Sequence, residues 1–248
     1  GTAWCWGGND YGQLGDGWHQ GREWPDKVIE IESVTDISAG QHHSCALMDE
    51  NGVWCWGAND YLQLGSETNS DEYEPIEVMG LFGIEKVSCG NFHTCVTKTN
   101  GRALCWGLND FGQLGNGTTE NVTEPPVEVV LSKIEQLSLG VCHSCGLLTS
   151  GKISCWGDNI HGQIGDGSNE VRVFPVEVVD ISNCIQVEAG YAHTCSLRDD
   201  GTVWCWGWND RGMLGNGSYE DSNVPVKVTG LNGIVYISSG YYHNCAVS

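Results

Sequence analysis

Short period-2 runs in units rich in valine, tryptophan and threonine recur along the chain, separated by segments rich in glycine, asparagine and aspartate. The stretch Val203-Trp204-Cys205-Trp206 is one example. Alternation with a period of two is typical of strands with one buried face, and the 35 glycines of the chain disfavour long helices. The pattern therefore predicts an all-β protein built from many short strands.

The stretches repeat with a period of 50 residues over the whole chain. Each unit contains Cys-Trp-Gly, an asparagine two residues later, a loop similar to Gly-Gln-Leu-Gly, and a closing Gly-x-x-His-x-Cys. A period of this length indicates one supersecondary unit used repeatedly, and several short strands per unit favour a five-bladed β-propeller. We expect one domain over 1–248. Its repeats fall at about 5–54, 55–104, 105–154, 155–204 and 205–248, the last closed by residues 1–4.

Eight of the thirteen cysteines form pairs whose members lie ten residues apart, with a glycine-containing turn between them. Such a turn folds the two cysteines opposite each other in an antiparallel hairpin, within reach of a disulfide. Each disulfide would stabilise its hairpin by about 2–3 kcal/mol. The predicted pairs are Cys45 with Cys55, Cys95 with Cys105, Cys145 with Cys155, and Cys195 with Cys205.

Cys5 and Cys245 are the remaining cysteines of the repeat. The residues around them match the two halves of the hairpin that joins Cys195 to Cys205. We therefore expect the first and last strands to pair and close a ring, with a Cys5–Cys245 disulfide. A closed ring would hide the edges of its sheets. The sequence leaves open the pairing of Cys89, Cys142 and Cys184.

These motifs resemble the regulator-of-chromosome-condensation repeat, in the Cys-Trp-Gly form typical of extracellular and bacterial members. The segments Gly40–Leu47, Gly112–Gly117 and Gly201–Asn209 carry the resemblance best. It implies a β-propeller, although the well-known members have seven blades. Nuclear members are guanine-nucleotide exchange factors for a small GTPase, and others are similar to secreted inhibitors or adhesion modules.

The charge of the chain narrows the choice of partner. Asp and Glu total 32 against 11 Lys and Arg, so the formal net charge is −21. Such a chain repels nucleic acids and anionic membranes, and it contains no apolar run of membrane-spanning length. Acidity, disulfides and the lack of a basic tail argue against exchange activity on chromatin. Without an initiator methionine or a leader pattern, we expect a mature or excised product.

Each repeat contains one histidine at the same position, and together these histidines could bind a metal ion or an anion. A ring of five could surround the propeller axis, but we interpret these residues as structural anchors within each blade and predict no metal site. The tryptophan of each Cys-Trp-Gly is predicted to pack between blades. The five histidines are His43, His93, His143, His193 and His243.

Residues that differ between repeats are the better candidates for binding. Single tryptophans on loops suit interface anchors, and the acidic loops suit a docking surface or, alternatively, Ca²⁺. The candidates are Trp18, Trp24, Trp208, Asp71, Glu72, Glu124 and Asp221. Three glycosylation motifs begin at Asn116, Asn121 and Asn216 and, with the disulfides, indicate a secretory route.

No catalytic motif is recognisable in the sequence. We expect a non-enzymatic, cofactor-free propeller at the cell surface or outside the cell, binding an extracellular protein or glycan. One alternative is a structural subunit of an extracellular filament or coat, assembled through strand or disulfide exchange. The other is a guanine-nucleotide exchange factor.

Overall fold

The computed structural model describes residues 1–50, 52–121 and 126–248, and in this part of the chain it is entirely strands, turns and loops. The same residues contain no helix long and apolar enough to cross a membrane. The strands are β1 (Trp4–Gly7), β2 (Arg22–Lys27), β3 (Val34–Ala39), β4 (His43–Met48), β5 (Val53–Gly57), β6 (Glu72–Glu77), β7 (Ile84–Cys89), β8 (His93–Lys98), β9 (Ala103–Gly107), β10 (Val127–Glu128), β11 (Ile134–Leu139), β12 (His143–Leu148), β13 (Ile153–Gly157), β14 (Arg172–Glu177), β15 (Cys184–Ala189), β16 (His193–Arg198), β17 (Val203–Gly207), β18 (Ser222–Lys227), β19 (Tyr236–Ser239) and β20 (Asn244–Val247).

The strands form four complete antiparallel sheets of four strands, β3 to β6, β7 to β10, β11 to β14 and β15 to β18. Two further sheets have two strands each, β1 with β2 and β19 with β20. The all-β prediction with several short strands per unit is therefore confirmed, and each complete sheet has four. The first complete sheet runs from Val34 to Glu77, so a blade begins well inside the sequence repeat that starts at Cys5.

The chain groups into two compact units, which are described separately. One comprises residues 1–109 and 120–128, and the other comprises residues 110–119 and 129–248. The loop over residues 110–119 belongs to the second unit because it is bonded to Trp156 there. The single domain over 1–248 stays a prediction.

The four hairpin disulfides predicted from spacing are present. In the first of them, Cys45 lies directly opposite Cys55, with the two Cα atoms 4.1 Å apart. Between Cys95 and Cys105, Gly101 has a φ of 74° and donates its N–H to the Lys98 carbonyl, as a tight turn requires. The bonded pairs are Cys45–Cys55, Cys95–Cys105, Cys145–Cys155 and Cys195–Cys205.

The predicted Cys5–Cys245 disulfide is not formed. Both residues are free cysteines, Cys5 half-buried and Cys245 exposed. The strand β1 pairs with β2 and β20 pairs with β19, so the described residues do not show the predicted pairing of the first and last strands. Matching sequences show only that two segments are able to pair in register. Pairing also needs a suitable rotation from each sheet to the next, which a local motif does not encode.

Each complete sheet has two buried faces, which explains why adjacent residues in one strand are both buried. In β5, Cys55 and Trp56 point to opposite faces and neither is exposed. Cys55 packs with Cys45 and with Trp106 of the following sheet, whereas Trp56 packs with Val28 of the preceding one. A strand of this kind needs apolar residues on both faces, unlike a strand with one face in water.

In four repeats the tryptophan of Cys-Trp-Gly donates a hydrogen bond from its indole to a backbone carbonyl of the preceding loop. We call this contact the joint. In the second unit, Trp156 Nε1 and Ser144 Oγ both donate to the carbonyl of Gln113, each over 2.8 Å. The loop itself is held by the repeated asparagine, since Asn159 Oδ1 accepts from Ile164 N and Asn159 Nδ2 donates to loop carbonyls. The other tryptophan–carbonyl pairs are Trp56 with Gln13, Trp106 with Gln63, and Trp206 with Gln163.

The joint explains why the last residue of the Gly-Gln-Leu-Gly loop is glycine. Gly115 has a φ of 67°, and a Cβ atom there would lie 2.7 Å from Trp156 Nε1. A side chain would therefore be strained in its backbone and would also push the indole away from Gln113.

We predict that Gly115→Ala lowers the free energy of unfolding by about 2 kcal/mol more than Gly217→Ala does. Gly217 is the matched control, because its φ is also positive, at 87°, but nothing lies within 4 Å of its Cβ position. Urea unfolding of both variants measures the difference. Equal losses would show that backbone strain alone, and not the indole, makes this position require glycine.

Candidate functional site

The structure places the predicted binding tryptophans in different environments. Trp18 and Trp24 are 62% and 79% exposed, whereas Trp208 is half-buried. Trp208 is the one that lies among other aromatic rings.

The predicted acidic residues have local partners. Asp71 Oδ1 accepts from the backbone N–H of Asn59, and Asp221 Oδ1 accepts from that of Asn209, so both carboxylates help to hold their loops. Burial raises the pKa of Glu72, and the nearby Asp71 adds to the shift. Glu124 lies outside the described residues.

The glycosylation motifs lie on the same loops. Asn121 is exposed, whereas Asn116 and Asn216 are half-buried and accept from a backbone N–H two residues on. Thr123, the third residue of the middle motif, lies outside the described residues.

Four aromatic side chains meet in the second unit, and we call them the aromatic cluster: Tyr191, Trp208, Tyr241 and Tyr242. The ring centroid of Tyr191 lies 5.6 Å from that of Trp208 and 4.5 Å from that of Tyr241. Tyr242 is 5.8 Å from Trp208, edge to face. Such separations are typical of favourable aromatic pairs, and Tyr241 and Tyr242 remain 41% and 37% exposed.

Two equivalent loops and one strand end position the cluster. Tyr191 lies between β15 and β16, and Tyr241 and Tyr242 lie at the matching place between β19 and β20. The N–H of Tyr191 donates to the carbonyl of Tyr241 over 3.3 Å. Trp208 follows β17, and its N–H donates to the carbonyl of Ala192 over 2.8 Å. Backbone hydrogen bonds therefore hold the segments that carry the rings in place before any ligand arrives.

Charged and polar groups border the cluster. His161 stacks on Trp208 at 5.2 Å, and its Nδ1 lies 2.8 Å from Asp221 Oδ2. The guanidinium carbon of Arg211 lies 4.5 Å above the ring centre of Tyr242. A cavity of about 420 Å³ adjoins these residues and includes Arg211, Met213 and Tyr242 in its walls. The arrangement offers aromatic surface with charge at its edge.

The sequence pointed to Trp208 but not to its three tyrosine neighbours. They occupy the two variable positions of Gly-x-x-His, where other repeats carry residues such as Gln41 or Val141. The accumulation of tyrosine in the last two copies was the available signal. The repeat motif is defined by its constant residues, so it does not single out the positions that vary within it.

The repeated histidines link neighbouring repeats. Thr194 Oγ1 donates to the Gln163 carbonyl, so it accepts from Nε2 of His143, which lies 3.0 Å away. His43 makes the same link to Thr94, and His193 makes it to Asn244. Burial lowers the pKa of His143 to about 3, and the nearby His193 adds to the shift. These rings are therefore neutral near pH 7 and carry their proton on Nε2. His243 is exposed.

One group in the described part of the chain brings three residues with metal-ligating atoms together, namely His43, Cys45 and Cys89, with those atoms within 4.8 Å of one another. Cys45 is bonded to Cys55, so its sulfur is not available. Cys89 donates its S–H to the Ser38 carbonyl, and burial raises its pKa to about 12. Two donors with these partners do not make a zinc site, which needs at least three protein ligands.

Comparison with known proteins identifies similar chains. The model of the regulator of chromosome condensation (RCC1) repeat matches five consecutive segments, and a second model of the same repeat matches four. No curated protein sequence matches the chain. The five segments are residues 1–47, 50–97, 100–147, 150–197 and 200–247.

Solved structures show the same fold. Prp20p of Saccharomyces cerevisiae is 21% identical, with a TM-score of 0.86 over 99% of this chain and 64% of its own. Human WBSCR16 is 23% identical, with a TM-score of 0.85 over 97% and 65%. The ectodomain of the receptor kinase CR4 of Physcomitrella patens is 22% identical, with a TM-score of 0.58 over 99% and 53%. The chain thus spans less than two thirds of the length of each.

We predict that His143 makes stability depend on pH between about 3 and 6.5. Below pH 6.5 the unfolded chain takes up a proton that the folded chain, with its lowered pKa, does not. The free energy of unfolding therefore falls as the pH drops, by about 1 kcal/mol per pH unit for this histidine.

Urea unfolding at pH 7 and pH 5 tests this, with His143→Gln as the variant and His19→Gln, at an exposed position, as its control. His143→Gln should flatten the pH dependence by that amount, and His19→Gln should leave it unchanged. An unaltered slope in His143→Gln would contradict the neutral, buried state of the ring.

Proposed function

The chain belongs to the regulator of chromosome condensation repeat family, and from this premise we propose that it is a rigid, non-enzymatic module that binds a protein partner. The aromatic cluster is the observation that carries the proposal. It combines the residue types that anchor protein interfaces, tryptophan, tyrosine and arginine, on one partly exposed surface.

Rigidity favours binding by such a surface. The loop carrying Tyr191 is tied to the loop carrying Tyr241, and Trp208 is tied to Ala192. Because the backbone that carries the rings is already held, binding a partner does not incur the entropy cost of ordering flexible loops.

We propose that the module is secreted or displayed at the cell surface. Four buried disulfides support this compartment, since thiols of cytosolic proteins are kept reduced. The accessible Asn121 of one glycosylation motif is compatible with the same route.

Proteins of similar fold support a protein partner. Prp20p was studied for its binding to Gsp1p and histones, and yeast RCC1 (Prp20) was crystallised bound to Kap60. The similar region of CR4 is the ectodomain of a receptor kinase. Exchange activity on a small GTPase would place the chain in the cytosol or nucleus, where thiols are kept reduced, and the disulfides argue against that location.

Cys5 and Cys245 favour a second candidate function, a structural subunit joined by disulfide exchange. Both are free thiols, and Cys245 is exposed. Electrophoresis under non-reducing conditions separates the two functions, because a subunit would give a covalent ladder that reductant removes, whereas a binding module would give a monomer.

We predict that Trp208→Ala reduces capture of the partner about tenfold or more, because a central tryptophan at an interface contributes much of the binding energy. Immobilised wild-type and variant proteins would be exposed to extracellular and to cytosolic protein fractions, and captured proteins quantified by mass spectrometry.

Trp18→Ala is the matched control, since it removes an exposed tryptophan from another loop. Proteins from the extracellular fraction should be retained by wild type and Trp18→Ala and lost by Trp208→Ala. Equal retention by Trp208→Ala, with its melting temperature unchanged, would reject the aromatic cluster as the binding surface. Retention that depends on glycans of the captured protein would shift the partner to a glycan.

A further inference from the structure

We infer that the segment recognised by the aromatic cluster carries arginine or lysine side chains that lie against its rings. The inference rests on the proposed function and adds the chemistry of the partner. It starts from a contact within the chain itself, where the guanidinium of Arg211 lies 4.5 Å above the ring centre of Tyr242. The cluster already accommodates one cation in this way.

Aromatic faces attract cations because the π electrons make the face of the ring negative and its edge positive. In the cluster, Tyr241 and Tyr242 are edge to face, with ring planes 83° apart, and Tyr191 is tilted by 52° to Tyr241. These rings are in mutual contact, so a ligand reaches only their outward surfaces. On an exposed ring face a cation gains an electrostatic attraction that a neutral sugar lacks, which favours a cationic side chain over a glycan.

Carboxylates border the cluster on two sides. Asp210 Oδ1 lies 3.9 Å from Nε of Arg211, the residue above Tyr242. Asp221 Oδ2 lies 2.8 Å from Nδ1 of His161, the residue stacked on Trp208. Each carboxylate is therefore one side chain away from an aromatic ring of the cluster.

The net charge of the whole chain also favours a cationic ligand. A net charge of −21 repels an acidic partner and attracts a basic one over distances beyond direct contact. Carboxylates alone would not define a site, but aromatic faces that already hold a guanidinium give the charge a place to act.

Arg211 should compete with a cationic ligand for this site. Its side chain covers part of Tyr242 and is close to Asp210, so it competes with an incoming cation for both groups. If the ligand is cationic, removing Arg211 should strengthen binding. If the ligand is anionic, Arg211 would be its main contact and removing it should weaken binding.

The test uses the intact 248-residue chain and a Gly-Ser peptide carrying three arginines, with a peptide bearing glutamines in their place and another bearing glutamates. Binding is followed by isothermal titration calorimetry, which measures the wild type and every variant in the same way. We expect the wild type to bind the arginine peptide at least about threefold more tightly than the glutamine peptide. Trp208→Ala should remove this preference.

Arg211→Ala should bind the arginine peptide about twofold to fivefold more tightly than the wild type. Arg102→Ala is the matched control, because it removes the same charge from a pair with Glu128 that contains no aromatic ring. This control should change the affinity much less. An equal gain in both variants would show that net charge, not the cluster, controls binding.

Weaker binding of the arginine peptide by Arg211→Ala, or preference of the wild type for the glutamate peptide, would overturn the inference. So would equal binding of all three peptides, or binding of none of them. In each case the capture experiment with Trp208→Ala decides separately whether the cluster binds a protein at all, so failure of the inference is distinguishable from failure of the proposed function.

Discussion

The hydrogen bond from a tryptophan indole to the carbonyl of a glutamine in the preceding loop holds neighbouring repeats together. Burying this carbonyl without a donor would cost about 1–3 kcal/mol. The next repeat supplies the indole and, from its histidine-bearing strand, a Ser or Thr side chain. Each loop thus depends on the repeat that follows it in the chain.

This dependence accounts for the residues that recur. Glycine is required where the indole approaches, asparagine shapes the loop, and cysteine fills the opposite face of the tryptophan strand. Trp6 shows the effect by contrast, since it bonds to no loop carbonyl among the described residues and is 62% exposed. Stability should therefore be a sum of repeat terms and nearest-neighbour terms, as in other repeat proteins.

The sequence predicted these shared features because each appears several times with the same spacing. The strands and the four hairpin disulfides followed from the 50-residue period. Packing between blades was predicted for the tryptophan of every Cys-Trp-Gly, and four of the five are buried, whereas Trp6 is exposed. The Cys5–Cys245 bond did not, since the relation between distant sheets is not written in a local motif. Asp71 and Asp221 were predicted as docking residues because they are acidic, but they also bond backbone N–H groups, a role that a neutral amide fills at Asn121.

The candidate site is built from residues that do not repeat. Tyr191, Tyr241, Tyr242 and Arg211 stand at positions where the repeats differ, so periodicity could not identify them. Shared positions build the scaffold, and the scaffold leaves the variable positions free to carry binding groups on fixed loops. The same division explains how one fold can serve partners of different chemistry.

Exchange of the indole N–H protons with D₂O, followed by NMR on protein labelled with ¹⁵N-tryptophan, tests the central joint most directly. If the joint holds the repeats together, the indoles of Trp56, Trp106, Trp156 and Trp206 exchange only on the timescale of global unfolding, whereas those of Trp18 and Trp24 exchange within the dead time. Fast exchange of the four buried indoles in the folded protein would contradict the account.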